Sequence, residues 1–289
     1  MLQGIASRAE AAGQITPSRE VITPSTGGPF AVALSDLKDA LGRYPLWLHQ
    51  GWVDVVHKYR RTRIGPLWHT ISLAVFIVSM GTFYSVILKI DPVTYFRNVT
   101  VNLIVWTLIS SAIIEGTGHF VAGQATALSM RFPYCAFTFA LTWRGLLMFG
   151  HHLILFVVIA AATLLVPSQA MVLAVPALAL VLLNCVWLSM VAGMACLRFR
   201  DLSPAIASGM QVLMFITPIF WPADMLGKRL AFLAELNPFY HLVIVLRDPL
   251  LGRIPETGDW LWAAGSAVVG WLVAFWIYGR YRDRFAYWY

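Results

Sequence analysis

The sequence predicts an all-α integral membrane protein with six transmembrane helices, an N-terminal amphipathic interface helix, and re-entrant helices on the periplasmic side before the last span. Three observations predict this. Of the 289 residues, 59% are hydrophobic and only 12% are charged, about half the charge of an ordinary soluble domain. Apolar runs of membrane-spanning length alternate with short polar stretches that carry Pro or Gly. Twelve Trp, ten Tyr and seventeen Phe suit aromatic belts at both membrane interfaces. The formal net charge of +7 does not point to nucleic acid, because the cations flank apolar runs and form no separate basic domain. Membrane topology accounts for them.

Residues 1–30 are rich in Ser, Thr, Gly and Pro and contain no apolar core of signal-peptide length, so residues 1–42 read as a flexible cytoplasmic tail. The remainder, 43–289, reads as a single transmembrane domain. Over 43–60, Leu48, Trp52, Val55 and Tyr59 fall on one helical face while Gln50, Asp54, His57 and Lys58 turn elsewhere, the pattern of an interfacial helix. Lys58, Arg60, Arg61 and Arg63 follow in a dense cluster. Gly65-Pro66 then breaks the helix, since the residue before proline leaves the α region and Pro suits the first turn of the next helix. The first span, Leu67 to Leu88, is long enough at about 1.5 Å per residue to cross a hydrocarbon core of about 30 Å. Trp68 lies at its entrance, at aromatic-belt level.

Further spans are expected over about 99–121, 143–166, 170–197, 206–220 and 260–278. The segment 221–258 is divided by Pro222, Pro238, Pro249 and Pro255 into apolar pieces too short to span, which favours re-entrant or interfacial helices. Cations concentrate before span one, around the loop after span two (Arg131, Arg144), after span four (Arg198, Arg200) and after span six (Arg280, Arg282, Arg284). By the positive-inside rule both termini are cytoplasmic.

Several chemistries find no support. No G-x-x-x-x-G-K-[ST] string is present, so this chain has no Walker A phosphate loop. His151 and His152 are adjacent, point about 100° apart on a helix, and make a poor pair of ligands for one metal. They suit a helix interface or a water-lined path. Cys135, Cys185 and Cys196 have no C-x-x-C spacing and read as small inert hydrophobes. Glu115 is the clear acid at depth. A charge at a span's centre costs roughly 2.5 to 3.5 kcal/mol, so such a residue is sheltered by a partner or functional.

The strings "YRRTRIGPLW" (59–68), "LIVWTLISSAIIEG" (103–116), Phe132-Pro133, "WRGLLMFGHHLI" (143–154), "RFRDLSPAIASGMQVLMFITPIFW" (198–221) and "LNPFYHLVIVLRDPLLG" (236–252) together resemble the membrane subunits of type-2 ABC exporters. The closest branch is the polysaccharide exporters of O-antigen, capsule and teichoic acid, with "WRG" and "GHH" most like the O-antigen members. The resemblance implies a permease half in the bacterial inner membrane that is not catalytic itself. It implies a homodimer bound to two copies of a separately encoded ATPase, which holds the ATP and Mg, and no cofactor in this chain. Two copies would enclose a channel for a lipid-linked polysaccharide; capsule, or a smaller lipid or drug, are alternative cargoes, and a secondary transporter working alone is the alternative outside the family. By the same resemblance 43–60 is the interface helix, and Arg131, Pro133, Arg198, Arg200 and Asp201 lie in loops that meet the ATPase. Sugar C–H faces slide on aromatic rings, which makes Phe76, Phe83, Tyr84, Phe215, Phe220 and Trp221 candidate channel linings; the alternative is packing against lipid or neighbouring helices. Lys58, Arg60, Arg61, Arg63, Gly65, Pro66 and Trp68 mark the cytoplasmic entrance, where the arginines meet anionic head groups or the pyrophosphate of a lipid carrier.

Overall fold

The computed structural model describes residues 28–60, 62–129, 132–226, 232 and 234–288, and every regular element among them is helical. In chain order these are α1 (Pro29–Gly42), α2 (Tyr44–Tyr59), α3 (Leu67–Leu88), α4 (Pro92–Gly116), α5 (His119–Ala122), α6 (Gln124–Ser129), α7 (Tyr134–Ala162), α8 (Ala174–Arg198), α9 (Leu202–Ile216), α10 (Pro238–Leu250), α11 (Thr257–Tyr281) and α12 (Phe285–Trp288). Among the described residues, five helices are long and apolar enough to cross a membrane: α3, α4, α7, α8 with its preceding 3-10 turn, and α11 with its following one.

The central helix is α4. Its most apolar window is 72% buried, against no more than 28% in the other four, and it packs against α3, α7, α8, α9 and α10. It begins at Pro92, earlier than the expected 99, because Asp91 caps it. The Asp91 carboxylate accepts from the Thr94 amide at 2.9 Å and the Thr94 hydroxyl at 2.8 Å, bonds that hold its pKa below the usual carboxylate value. It stops at Gly116, ahead of Thr117-Gly118, and the rest of the expected span becomes the separate turn α5.

Other boundaries moved for similar local reasons. Span three was expected over 143–166; α7 starts at Tyr134, directly after Pro133, and ends before Leu164, which has φ of 53°. The fourth and last spans were expected over 170–197 and 260–278; the helices are Ala174–Arg198, entered through a 3-10 turn from Gln169, and Thr257–Tyr281. The expected fifth span, 206–220, is instead the 15-residue α9, about 22 Å long and short of a full crossing. Pro218 ends it by pushing Thr217 to φ −73°, ψ 135°. The turn that follows is tied to α4, because Asn102 donates to the Ile219 carbonyl at 2.9 Å and Tyr95 to the Phe220 carbonyl at 2.7 Å. Within 221–258 the main element is α10, 13 residues long, its Leu242–Leu246 stretch buried against α4, α8 and α11.

The junction ahead of α3 takes the expected form: Gly65 has φ of 63°, the left-handed region where glycine is tolerated, and α3 starts at Leu67. The expected flexible tail does not extend to 42. Residues 29–42 form α1, packed on α11 and α7; residues 1–27 lie outside the described residues. Asp36, 2% exposed, anchors α1. Its carboxylate accepts the Cys135 amide at 2.9 Å and faces Arg282 at 3.5 Å. Pro133 stands at the N-cap of α7 without a capping side chain, so Asp36 supplies from another helix the acceptor that this helix start lacks.

Within the bundle Asn184 links α8 to α11 with every bond satisfied. Its amide donates to the Leu180 and Ala263 carbonyls at 2.9 and 3.1 Å, and its oxygen accepts from Trp187 at 3.0 Å and Ser266 at 2.8 Å. An unsatisfied amide at this depth costs several kcal/mol, so full pairing is what makes a buried Asn tolerable. The three cysteines are all buried and free.

Near the start of α11, His241 of α10 bonds to the Asp259 carboxylate through Nδ1 at 2.7 Å and to the Glu235 carbonyl through Nε2 at 2.7 Å, and it stacks on Trp262 at 5.2 Å. Burial opposes its charge, but the Asp259 and Glu235 acceptors outweigh it and raise the pKa above the ordinary imidazole value. A raised folded-state pKa means the contribution is complete below the unfolded value of about 6.5 and fades as pH climbs through the folded value. The thermal midpoint in detergent is therefore expected to fall as pH is raised from about 6.5 upward, and His241→Gln to flatten that dependence. An unchanged slope in the variant would refute the pairing.

Candidate functional site

At the basic end of the bundle, where α4 and α8 finish and α7 and α9 begin, one carboxylate joins three helices. Glu115 Oε1 accepts from Lys58 of α2 at 3.0 Å and Oε2 accepts from Arg144 of α7 at 2.6 Å, while Arg144 also faces Asp54 of α2 at 3.5 Å. Glu115 is thus not an isolated acid at depth. It occupies the last turn of α4 with its side chain 35% exposed, and its cost is met by two cations.

The helices that carry these charges are brought together by a small residue. A Cβ at Gly51 would lie 2.6 Å from the Ala140 carbonyl oxygen and 2.9 Å from the Trp143 ring, so only glycine lets α2 lie this close to α7. That approach carries Lys58 and Asp54 to Glu115 and Arg144. Beneath the ion pairs is a pocket of about 240 Å³ lined by Lys58, Tyr59, His69, Thr107, Ser110, Ser111, Glu115, Arg144 and His152, with Val55, Leu108, Ile114, Met148 and Phe149 as its apolar part. This is below the roughly 300–1,000 Å³ of sites for drug-sized ligands, room for a head group or a small molecule and too little for a whole glycan. A second hollow of about 360 Å³ between α3, α4 and α9 shares Thr107, Ser110 and Ile114 with it.

His152 is buried in the pocket wall, with Nε2 unpaired and its ring 6.4 Å from that of His69. His151 turns away and bonds the Leu147 carbonyl at 2.8 Å; the two do not converge. No group of three or more His, Cys, Asp or Glu able to hold a metal occurs among the described residues. His119 has a structural role: it bridges the Gly116 carbonyl at 2.6 Å and the Thr138 hydroxyl at 3.0 Å. Full burial lowers its pKa to about 4, which keeps it neutral.

The remaining expected site residues fall in separate places. Arg60, Arg63 and Trp68 are exposed and are not part of the pocket's lining; Arg61 and Arg131 lie outside the described residues. Pro133 stands at the start of α7, Arg198 at the end of α8 and Asp201 at the start of α9, with Arg200 between them. The six aromatic candidates form one connected cluster. Phe220 packs against Phe76 (6.1 Å), Tyr84 (5.8 Å) and Phe215 (5.8 Å), Phe83 touches Tyr84 (5.6 Å), and Trp221 donates to the Phe215 carbonyl at 3.2 Å. Phe220 itself is 2% exposed. It is the core of this cluster and not a surface within the single chain, whereas Phe83 and Phe215 are more than half exposed.

Residues 51–251, from the middle of α2 to the end of α10, match the pattern of ABC-2 type transporters. The chain belongs to the ABC-2 type transporter family. As a member it is a membrane transport component, and the pocket and charge cluster described above lie inside the matched region. Two curated relatives, both named O-antigen export system permease protein RfbA from Klebsiella pneumoniae, are each 20% identical to it. The alignments cover 200 and 206 residues, 68% and 70% of this chain and 76% and 78% of the relatives.

Sequence reasoning missed Arg144 and Asp54 as members of this ABC-2 transporter's charge cluster, having counted them only among loop or interface charges. One signal was available: an acid near a membrane span calls for a cation, and Arg144 lies in a similarly charged boundary. Asp36 offered no comparable signal, since its partners are about 100 and 246 residues away.

Proposed function

We propose that this chain is the membrane half of an ATP-driven exporter that carries a lipid-linked polysaccharide, O-antigen, from the cytoplasm to the periplasm. Two copies form the channel in the bacterial inner membrane, with both termini cytoplasmic. Two copies of a separately encoded ATPase bind ATP and Mg and supply the work. The observation that carries this reading is the family match over 51–251 joined to relatives whose names state O-antigen export.

The geometry suits the role. An amphipathic helix against the basic end of the bundle is placed to receive force from outside the membrane, and the close contact at Gly51 would pass a displacement of α2 to α7. Glu115 passes that displacement to α4, the helix around which the others pack. Lys58, Arg60 and Arg63 sit where anionic head groups would lie, each cation contributing about 1 kcal/mol of attraction to such a surface. Deleting the gene is expected to leave the cell surface without its exported glycan while lipid-linked polymer accumulates inside. Normal surface glycan in the deletion strain would overturn the reading.

The small volume of the charged pocket favours one second reading, export of a smaller lipid or drug. In that case the deletion strain keeps its surface glycan and retains a lipophilic compound that wild-type cells expel.

A further inference from the structure

Residues 282–288 leave α11 as a 3-10 turn and a short helix, and their rings fill a space between two loops. Phe285 is fully buried, with ring centroids 5.7 Å from Phe120, 5.3 Å from Tyr134 and 5.8 Å from Tyr278. Tyr134 is the first residue of α7, next to Pro133, and Phe120 lies in α5 on the other side of the same loop region. Trp288 continues the stack, 5.8 Å from Phe285 and 5.7 Å from Tyr281. Its ring also covers Arg198: the guanidinium carbon is 5.3 Å from Trp288 and 5.1 Å from Phe199, so the cation is held between two aromatic faces. Arg198 ends α8 immediately before the loop to α9.

One aromatic plug therefore touches both the loop before α7 and the loop after α8, which are more than sixty residues apart in sequence. The two segments also meet directly where the Thr117 and Ser203 hydroxyls bond at 2.7 Å, and Phe285 and Trp288 add a second, aromatic link. Each ring pair prefers tilted or edge-on geometry, and the observed angles of 43° and 86° at Phe285 fit that preference. Arginine is well suited to the Trp288 face because its planar, weakly hydrated cation stacks where lysine would stay solvated.

We propose that Phe285 and Trp288 form a clamp that fixes the position of Arg198 relative to the Pro133 loop, making the two loops a single receiving surface for the ATPase. This inference rests on the reading that the two loops meet an ATPase. Phe285 and Trp288 are positioning residues: they act through Arg198 and Tyr134 and need not touch the ATPase themselves. The consequence is that loosening Trp288 uncouples nucleotide hydrolysis from transport without dismantling the bundle, because Trp288 is only half-buried and packs at the edge of the cluster built on Phe120, Tyr278 and Phe285.

The test uses the full chain co-expressed with its cognate ATPase subunit, purified and placed in lipid vesicles. Trp288→Leu keeps an apolar side chain and removes the cation-binding face; Trp288→Phe keeps a face. Trp288→Leu is expected to retain assembly and ATP hydrolysis while export per ATP falls roughly five- to tenfold, and Trp288→Phe to stay within about twofold of wild type. Limited trypsin digestion of the chain alone gives an independent readout, with cleavage after Arg198 and Arg200 accelerated in Trp288→Leu and unchanged in Trp288→Phe. Unchanged export per ATP together with unchanged cleavage in Trp288→Leu would overturn the clamp. A wild-type chain that binds no ATPase overturns the functional reading instead, and the cleavage rates still decide whether Trp288 holds the Arg198 loop.

Discussion

Glu115→Gln is expected to reduce export about tenfold while leaving a folded, membrane-inserted protein. The substitution keeps the shape and removes the charge that Lys58 and Arg144 share. Arg144 is left with Asp54 at 3.5 Å, and its Nε is buried without a partner, so the change uncovers a partly buried cation. Breaking a fully buried pair costs about 3–5 kcal/mol. With Glu115 35% exposed and Lys58 47% exposed, solvent screening reduces that to about 1–2 kcal/mol, too little to unfold the bundle. A coupling loss of about 1.4 kcal/mol corresponds to a tenfold effect. The measurement is surface glycan per unit of permease in a complemented deletion strain, with a double-mutant cycle between Glu115→Gln and Arg144→Gln. Additive effects in that cycle would show that the two residues do not act through each other.

Asp36→Ala is expected to release α1 and lower stability by about 3 kcal/mol. Its carboxylate is the buried member of the pair with Arg282, whose side chain is 32% exposed, and it accepts the Cys135 amide at the start of α7. Removing it strands a cation and a helix-terminal N–H in one step. Asp36→Asn retains an acceptor for Cys135 and loses only the ion pair, so it should recover about 1 kcal/mol of the loss. Hydrogen exchange resolved to residues 29–42 is the direct check: α1 should lose protection in Asp36→Ala while α4 and α8 keep theirs. Uniform loss along the chain would mean that Asp36 supports the whole bundle and not α1 in particular.

The two substitutions mark how far a linear reading reached. Lys58, Gly65, Pro66 and the 67–88 span were legible because their signals are local: a charge cluster, a backbone break, and an apolar run of crossing length. The six aromatics named as channel candidates form one packed group, which follows from aromatic residues recurring on α3 and around the turn after α9. The error at 206–220 also had a local cause, since hydropathy continued past Pro218 although the backbone could not. What hydropathy cannot register is a helix whose buried face is a stripe of Val32, Ala33, Asp36 and Ala40, because that stripe is small, includes an acid, and follows a polar segment.

Membrane insertion, an all-helical fold and the lack of a nucleotide loop could be read directly from residue order, because burial of apolar length, backbone pairing in lipid and a contiguous phosphate motif are all properties of neighbouring residues. Which charges meet could not be read in that way. Glu115 finds Lys58 and Arg144, Asp36 finds Cys135 and Arg282, and Arg198 finds Trp288 only after the helices have packed. Electrostatic and ring contacts depend on distance in space, and that distance is set at places such as Gly51, where one missing side chain decides how closely two helices approach.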